Sequence, residues 1–504
     1  MSAPEEAAPA PEEKGTPVSS ATPATAFEIE VFQPDEFESE RHFYPRTLNA
    51  QPHPLVAAFC RMPLGRIVRR YCHLHPAVSR DELTSLMTLP PRYLRWSGSD
   101  VLNVSTETGV RQKLVLETNS CPSGQKSFPL LDETNEEGGY RQLIENTFLP
   151  LVKKQLKKAE HEGIVAVLYD KNHMEASGYA QVLASATKRP VYLIPCPRKN
   201  PEAFVKVKDR ELWAQVDGEE RRVLCAFRYV TQRPWTRLPF DLKTPLLNPV
   251  VACLAGGRNK TVAAKAYESF NATHRDMGLE IMTPESFTNV RKQEVPFLLE
   301  RLGGKAVVKV PYLNAGQGIF TIVDQRELDA FMEADHPYEA FIVQQLVGNF
   351  RWSSSSSHGK VFNIGTMPDK KERIFVFDVR MMVSWAGEHY RPVAMYARRA
   401  PVPMEADLPA DAESWKVLGT NLSKRVGDDQ FETEPRRLLM CDRKDFNRLG
   451  LGIDDLVEIF VQAVLCNRAI DDMAKRLVKR GGALRRDLFR SLVDDDALLN
   501  EIPH

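Results

Sequence analysis

The sequence has no excess charge of either sign: 67 basic side chains balance 67 acidic ones over 504 residues. Proteins drawn to nucleic acid or to anionic membranes carry a field of one sign, so neither partner is expected. Long apolar runs are missing too. None approaches the roughly 20 residues that cross a bilayer, and the opening MSAPEEAAPAPEEKG has neither the basic start nor the apolar middle of a secretory signal. The eight cysteines form no CxxC pair, which argues against a disulfide framework or a zinc ribbon and for a reducing, cytoplasmic setting. Cys72, His73 and His75 cluster in CHLH, but the second ligand pair of a zinc site is missing. There is no GxxxxGK[ST] phosphate loop, no internal repeat, and no Ser/His/Asp or Cys/His arrangement for nucleophilic catalysis.

What remains is an ordinary globular composition, 43% hydrophobic and 27% charged, on a chain long enough for two or three packed lobes. Residues 1–26 are rich in Ala, Pro, Glu, Ser and Thr, contain no aromatic residue before Phe27, and are expected to be a disordered tail. The rest predicts an α/β fold with α+β lobes in four parts: 27–163, 164–248, 249–430 and a helical 431–504. In the first part SDVLNV and QKLVLETN read as two strands joined by a polar turn. In the second, GIVAVLYD, PVYLIPC and VLCAFRYV alternate with a helix, as a largely parallel sheet requires. In the third, RIFVFDVRMMVSW and YRPVAMYARRA pair as a long hairpin across AGEH. In the fourth, DDLVEIFVQAVLCNRAIDDMAKRLVKR has a 3.6-residue apolar period.

Several segments carry candidate chemistry. In KLVLETNSCPSGQ, strand alternation turns Glu117 and Asn119 to one face. A carboxylate beside an amide oxygen suits Mg²⁺, with waters and phosphate completing the octahedron; the alternative is an edge strand with two solvated polar residues. Ser123 and Gly124 follow Pro122 and could offer backbone N–H groups to phosphate or substrate. Asp100 on the preceding strand either joins the metal site or caps a turn. In VVKVPYLNAGQGIF, Lys309 ends a β-branched strand, and burying its ammonium calls for an anion. Gly316, Gln317 and Gly318 form a loop whose backbone can approach phosphate closely. Lys260 starts a predicted helix after Gly256 and Gly257. Asp378 and Arg380 share one face of an apolar strand, either as a buried ion pair or as an oriented arginine gripping an anion. Arg398, Arg399 and Asn421 either line an acceptor side or belong to the surface. In the parallel unit, Asn172, His173, Glu175 and Arg228 sit near strand ends, where such sheets bind ligands.

Taken in order, from about residue 95 to 425, these pieces resemble the ATP-grasp superfamily. The likeness is to its circularly permuted branch of eukaryotic-type glutathione synthetases and glutathionylspermidine synthetases, because ETNSCPSGQ lies far upstream of KVPYLNAGQG. The ends of the chain look most like peptide ligases related to the pheganomycin ligase. The resemblance implies an ATP-grasp fold with a pre-ATP-grasp α/β domain, ATP and Mg²⁺ as cofactors, and joining of amino acids or short peptides, the carboxylate and amine substrates; a homodimer is compatible with it. It puts Lys260, Lys309 and Gly316, Gln317 and Gly318 on the ATP phosphates, and Gln344, Gln345, Leu346 and Val347 at the adenine hinge. Glu117 and Asn119 would hold magnesium with Asp100 in support, Arg380 and Lys309 would act on the transferring group, and Ser123, Gly124, Arg228, Arg398 and Asn421 would face substrate. Relatives carry an acidic metal ligand in the glycine loop or hinge where this chain has Leu313, Asn314, Gln344 and Gln345, which puts a second metal in doubt. The activity implied is carboxylate–amine ligation through an acyl phosphate, ATP giving ADP and phosphate. A small-molecule kinase or a non-catalytic ATP-binding scaffold are the alternatives.

Overall fold

Continuous apolar runs end up where both faces of a strand are covered. The computed structural model describes residues 27–502 apart from 133, 159–161, 232–236, 314–317, 337, 410–411 and 426–430. The tail 1–26 and Asn314, Gly316 and Gln317 of the glycine loop therefore lie outside the described residues. The run IVAVLY forms the strand Ile164–Tyr169, buried throughout and flanked in parallel by Val191–Pro195 and Glu219–Tyr229. The helix His173–Thr187 makes the crossover, entered through Asn172 in the left-handed region at φ 60°. Glu30–Phe32 adds an antiparallel edge, and WAQVDGEERR forms a hairpin in which the strand Glu211–Val216 pairs antiparallel with Glu219–Tyr229.

A second, four-stranded antiparallel sheet runs in the order Ser286–Arg291, Ala340–Gln345, Ala306–Lys309, Ile319–Ile322. The third sheet is antiparallel and joins distant segments. Trp96–Thr106 pairs with Arg111–Asn119 on one edge, and on the other with Phe377–Trp385 and Val361–Asn363. Tyr390–Arg399 and Leu438–Met440 continue it. The strands carrying Asp100 and Glu117 are thus built into one sheet with the hairpin carrying Asp378, Arg380 and Arg398. The protein is a mixed α/β fold.

The helix Ile453–Leu477 is apolar on most of its circumference because it is enclosed, packing on Trp96–Thr106, Arg111–Asn119 and Phe377–Trp385. It also fixes where that sheet begins. The Asp471 carboxylate accepts from the backbone N–H groups of Arg92, Tyr93 and Leu94 at 3.0, 2.6 and 2.9 Å. Asn467 accepts from Tyr390 Oη and donates to Ser97 Oγ, each at 2.8 Å. All eight cysteines are unpaired thiols. No helix among the described residues is long and apolar enough to cross a membrane.

Candidate active site

The second and third sheets face each other across a cleft with two arms of about 390 and 100 Å³. The arms meet at Leu116, Glu117, Lys260, Lys309, Gln344 and Gln345. Leu102, Val307, Ile319, Val347 and Leu418 give the smaller arm apolar walls, and Leu114, Tyr267, Met282 and Ile342 line the larger.

Glu117 reaches this centre through an irregularity. Opposite Asp100 and Val101 stand Glu117 and Val115, so Leu116 is one residue too many and bulges. A bulge resets the alternation of a strand. Leu114, which packs with Leu102 and Val104, thereby shares a face with Glu117 and Asn119, and both site residues line the cleft. Glu117 is held loosely. Asn119 Nδ2 donates to its Oε1 at 3.3 Å, and Lys260 Nζ is 3.3 Å from its Oε2. Burial opposes ionisation of Glu117, but Lys260, Arg380, Arg398 and Lys309 together outweigh it and hold the carboxyl well below its usual range.

The lysines come from different elements. Asn259 caps the helix Lys260–His274, its side chain accepting from Val262 N at 3.2 Å, which places Lys260 on the first turn at the cleft floor. Lys260 Nζ also donates to Leu313 O at 2.8 Å, where the glycine loop starts. Lys309 Nζ donates to Gln344 Oε1 at 2.6 Å across neighbouring strands. Burial, with Lys260 adding to it against Glu117, brings the Lys309 ammonium down to about 8. Gly318, at φ 63°, closes the far side of the loop; a Cβ there would stand 2.7 Å from Leu313 and 2.8 Å from Val310.

Next to Glu117 lies a saturated charge network. Register puts Asp100 between Glu117 and Arg380, and Asp378 opposite Arg398. Arg380 grips Asp100 bidentately, Nε to Oδ1 and Nη2 to Oδ2, both at 2.6 Å. Arg398 Nη2 is 2.8 Å from Asp100 Oδ2, while Arg398 also takes both oxygens of Asp378, through Nε at 2.9 Å and through Nη2. Thr420 Oγ1 donates to Asp378 at 3.0 Å. Against the cost of burial, Asp100 holds both guanidiniums more firmly charged than usual. Asp378 and Arg380 are thus each in an ion pair, but with partners on other strands.

Metal fit can be judged from the donors. No group of three His, Cys, Asp or Glu gathers among the described residues. Glu117 and Asn119 supply two hard oxygens when the Asn119 amide presents its carbonyl, which suits an ion that keeps several waters and takes phosphate oxygens. The pair fits Mg²⁺ bound together with a phosphate.

Other expected residues fall elsewhere. The Ser123 hydroxyl and the Gly124 and Gln125 amides are already taken: Glu175 accepts from Ser123 Oγ at 2.8 Å, Gly124 N at 2.9 Å and Gln125 N at 3.1 Å. Arg228 is wholly buried, its Nη1 3.3 Å from Cys253 Sγ, and does not line the cleft. Arg399 stacks on Phe375 with 4.3 Å to the ring centre, whereas Asn421 does line the smaller arm. Of the residues expected at the hinge, Leu346 is turned away, its N–H donating to Ser354 Oγ at 2.8 Å and its C=O accepting from Ser354 N at 2.9 Å. Ser354 thereby buttresses Leu346; burial of Ser353 and Ser354 carries no sequence signal. Also unforeseen are Trp415, Leu418 and Thr420 at the wall of the smaller arm, and the grip of Gln344 on Lys309.

No model of a known protein family matches the chain, and no curated protein does. Among solved structures it is similar to a glutathione synthetase-like effector from Globodera pallida, with TM-score 0.37 and 10% identity over 69% of this chain and 86% of that one. A RimK domain ATP-grasp protein from Sphaerobacter thermophilus gives TM-score 0.28 and 15% identity over 46% and 90% of the two chains. The D-alanine–D-alanine ligase of Coxiella burnetii gives TM-score 0.24 and 10% identity over 66% and 98%.

Proposed function

We propose that the chain is an ATP-dependent carboxylate–amine ligase of the ATP-grasp type, working through an acyl phosphate on amino acids or short peptides. One observation carries this reading: two lysines from separate elements converge on an ionised, incompletely bonded Glu117 at the joint of a two-armed cleft. Such a centre is suited to a polyphosphate and a divalent cation.

In this reading the purine lies between Leu116, Val307 and Ile319 in the smaller arm, beside Val347, whose backbone N–H has no partner among the described residues. Lys309 and Lys260 neutralise the phosphates, and Lys260 leaves Glu117 as it does so. Mg²⁺ held by Glu117 and Asn119 would offset charge on the transferring phosphoryl group. A substrate carboxylate attacks the γ-phosphorus, ADP leaves, and an amine then displaces phosphate from the acyl phosphate. No side-chain nucleophile is required. Fixed cations in a buried cleft stabilise the developing charge without reorganising.

Incubating the chain with ATP, Mg²⁺, hydroxylamine and a panel of amino acids and dipeptides tests this. The expected products are ADP and a hydroxamate from at least one acid, both lost in Glu117→Gln. ADP without any hydroxamate favours a kinase; nucleotide turnover unchanged in Glu117→Gln removes the metal site.

A further inference from the structure

The three carboxylates at the cleft centre differ in what they have left to give. Asp100 is 1% exposed and receives three charge-assisted bonds at 2.6, 2.6 and 2.8 Å. Asp378, also 1% exposed, receives Arg398 on both oxygens and Thr420 at 3.0 Å. Such bidentate pairs are the strongest ion pairs proteins make, and breaking one in a buried place leaves an uncompensated charge. Only Glu117, with its two contacts at 3.3 Å, has open lone pairs. Glycine-loop Leu313 and hinge Gln344 and Gln345 bring no carboxylate to the centre. Four cations, Lys260, Lys309, Arg380 and Arg398, already face these three acids.

Arg398 has one more property. Its Nε and Nη2 are committed to Asp378 and Asp100, Nη1 has no partner among the described residues, and the side chain lines the smaller arm. A guanidinium pinned on two edges with the third at a cleft wall is a rigid cation preset for phosphate.

Resting on the nucleotide reading above, we infer that this site takes a single divalent cation, on Glu117 and Asn119, and that Arg398, held by Asp100 and Asp378, supplies the fixed positive charge in place of a second metal ion. Asp100 is then a positioning residue and not a metal ligand. Arg380 completes the clamp on Asp100 and is steadied by Tyr396, whose hydroxyl accepts from Arg380 Nη1 at 3.3 Å.

The test counts Mn²⁺ by electron paramagnetic resonance on the full chain with the non-hydrolysable analogue adenylyl imidodiphosphate. Wild type is expected to bind one Mn²⁺ per chain. Glu117→Gln should weaken Mn²⁺ binding by tenfold or more, and Asp100→Asn should keep one ion with affinity within about threefold. Arg398→Gln should also keep one ion but raise the Kd of the analogue at saturating Mn²⁺ by about tenfold or more, the worth of a bond to a charged group. Two Mn²⁺ per wild-type chain overturn the inference. So does loss of Mn²⁺ in Asp100→Asn when its circular dichroism and melting match wild type. Should Asp100→Asn not fold, the wild-type count and Arg398→Gln decide. A wild-type chain that binds neither the analogue nor Mn²⁺ removes the nucleotide reading itself; analogue binding with two ions removes only the single-metal inference.

Discussion

Two regions of this protein set a glutamate among donors, with opposite results. At Ser123–Gln125, Glu175 is fully buried and its oxygens are filled by a hydroxyl and two backbone amides, with Tyr179 Oη donating as well at 3.3 Å. At the cleft joint, Glu117 has one lysine and one amide, each at 3.3 Å, although three more cations, Lys309, Arg380 and Arg398, stand behind them. Buried polar groups are normally saturated. A saturated carboxylate is therefore part of the frame, holding the turn after the Glu117 strand against the parallel unit. An ionised but underbonded one, facing a cavity, waits for something. The same residue type is scaffold in one place and site in the other, and bonding distinguishes them.

The difference can be pushed from both sides. The largest effect is expected for Glu117→Gln, which should lower ligation by about a thousandfold or more, roughly 4 kcal/mol of transition-state stabilisation. Its melting temperature should hardly move, since only two loose contacts are lost; steady-state ADP release and calorimetry check both. Glu175→Ala should do the reverse. Leaving Ser123 and the Gly124 and Gln125 amides without a partner costs about 3 kcal/mol of stability in denaturant titration, while Kd for adenylyl imidodiphosphate stays within about threefold. A collapse of affinity at unchanged stability would put Glu175 in the site after all.

Two pH effects follow the same division. His42 braces the Glu175 helix, with Nδ1 3.1 Å from Ser177 Oγ, and burial brings it down to about 4. Its folded value lies below the ordinary 6.5, so its contribution is complete above 6.5 and is lost as pH falls toward 4, about 3 kcal/mol. Denaturant midpoints at pH 7 and 4.5 should show the loss, and His42→Gln should reduce it. The smallest effect belongs to the cleft. With Lys309 at about 8 in the free chain, phosphate binding recharges it. Affinity for the analogue is full below pH 8 and weakens above it by at most about tenfold per unit. Lys309→Arg should flatten that profile in titration calorimetry.

The sequence made some of this legible. Glu117 and Asn119 could be set on one face because a strand alternates, and Asp378 and Arg380 likewise. The Leu116 bulge could not be read, since only the register against Asp100 and Val101 defines it. Nor could the partners of the ion pairs: Arg380 meets Asp100 across 280 residues, a pairing that strand order fixes and local composition does not. Glu175 reads as a candidate ligand residue near a strand end because nothing near it in the chain names the Gly124 and Gln125 amides it caps. Nor does a run of five serines single out Ser354, whose hydroxyl accepts from the Leu346 N–H. Local periodicity located the elements; the nonlocal pairing that turns residues into a site required the fold.

In the proposed reading the cleft joint at Glu117, Lys260 and Lys309 binds ATP with a divalent cation. Titration calorimetry of the full chain with adenylyl imidodiphosphate, with and without Mg²⁺, tests it most directly. One site per chain is expected, tightened by Mg²⁺, with the tightening lost in Glu117→Gln and binding itself weakened at least about tenfold in Lys309→Met. Binding that ignores Mg²⁺ and is equal in wild type and both variants would contradict it.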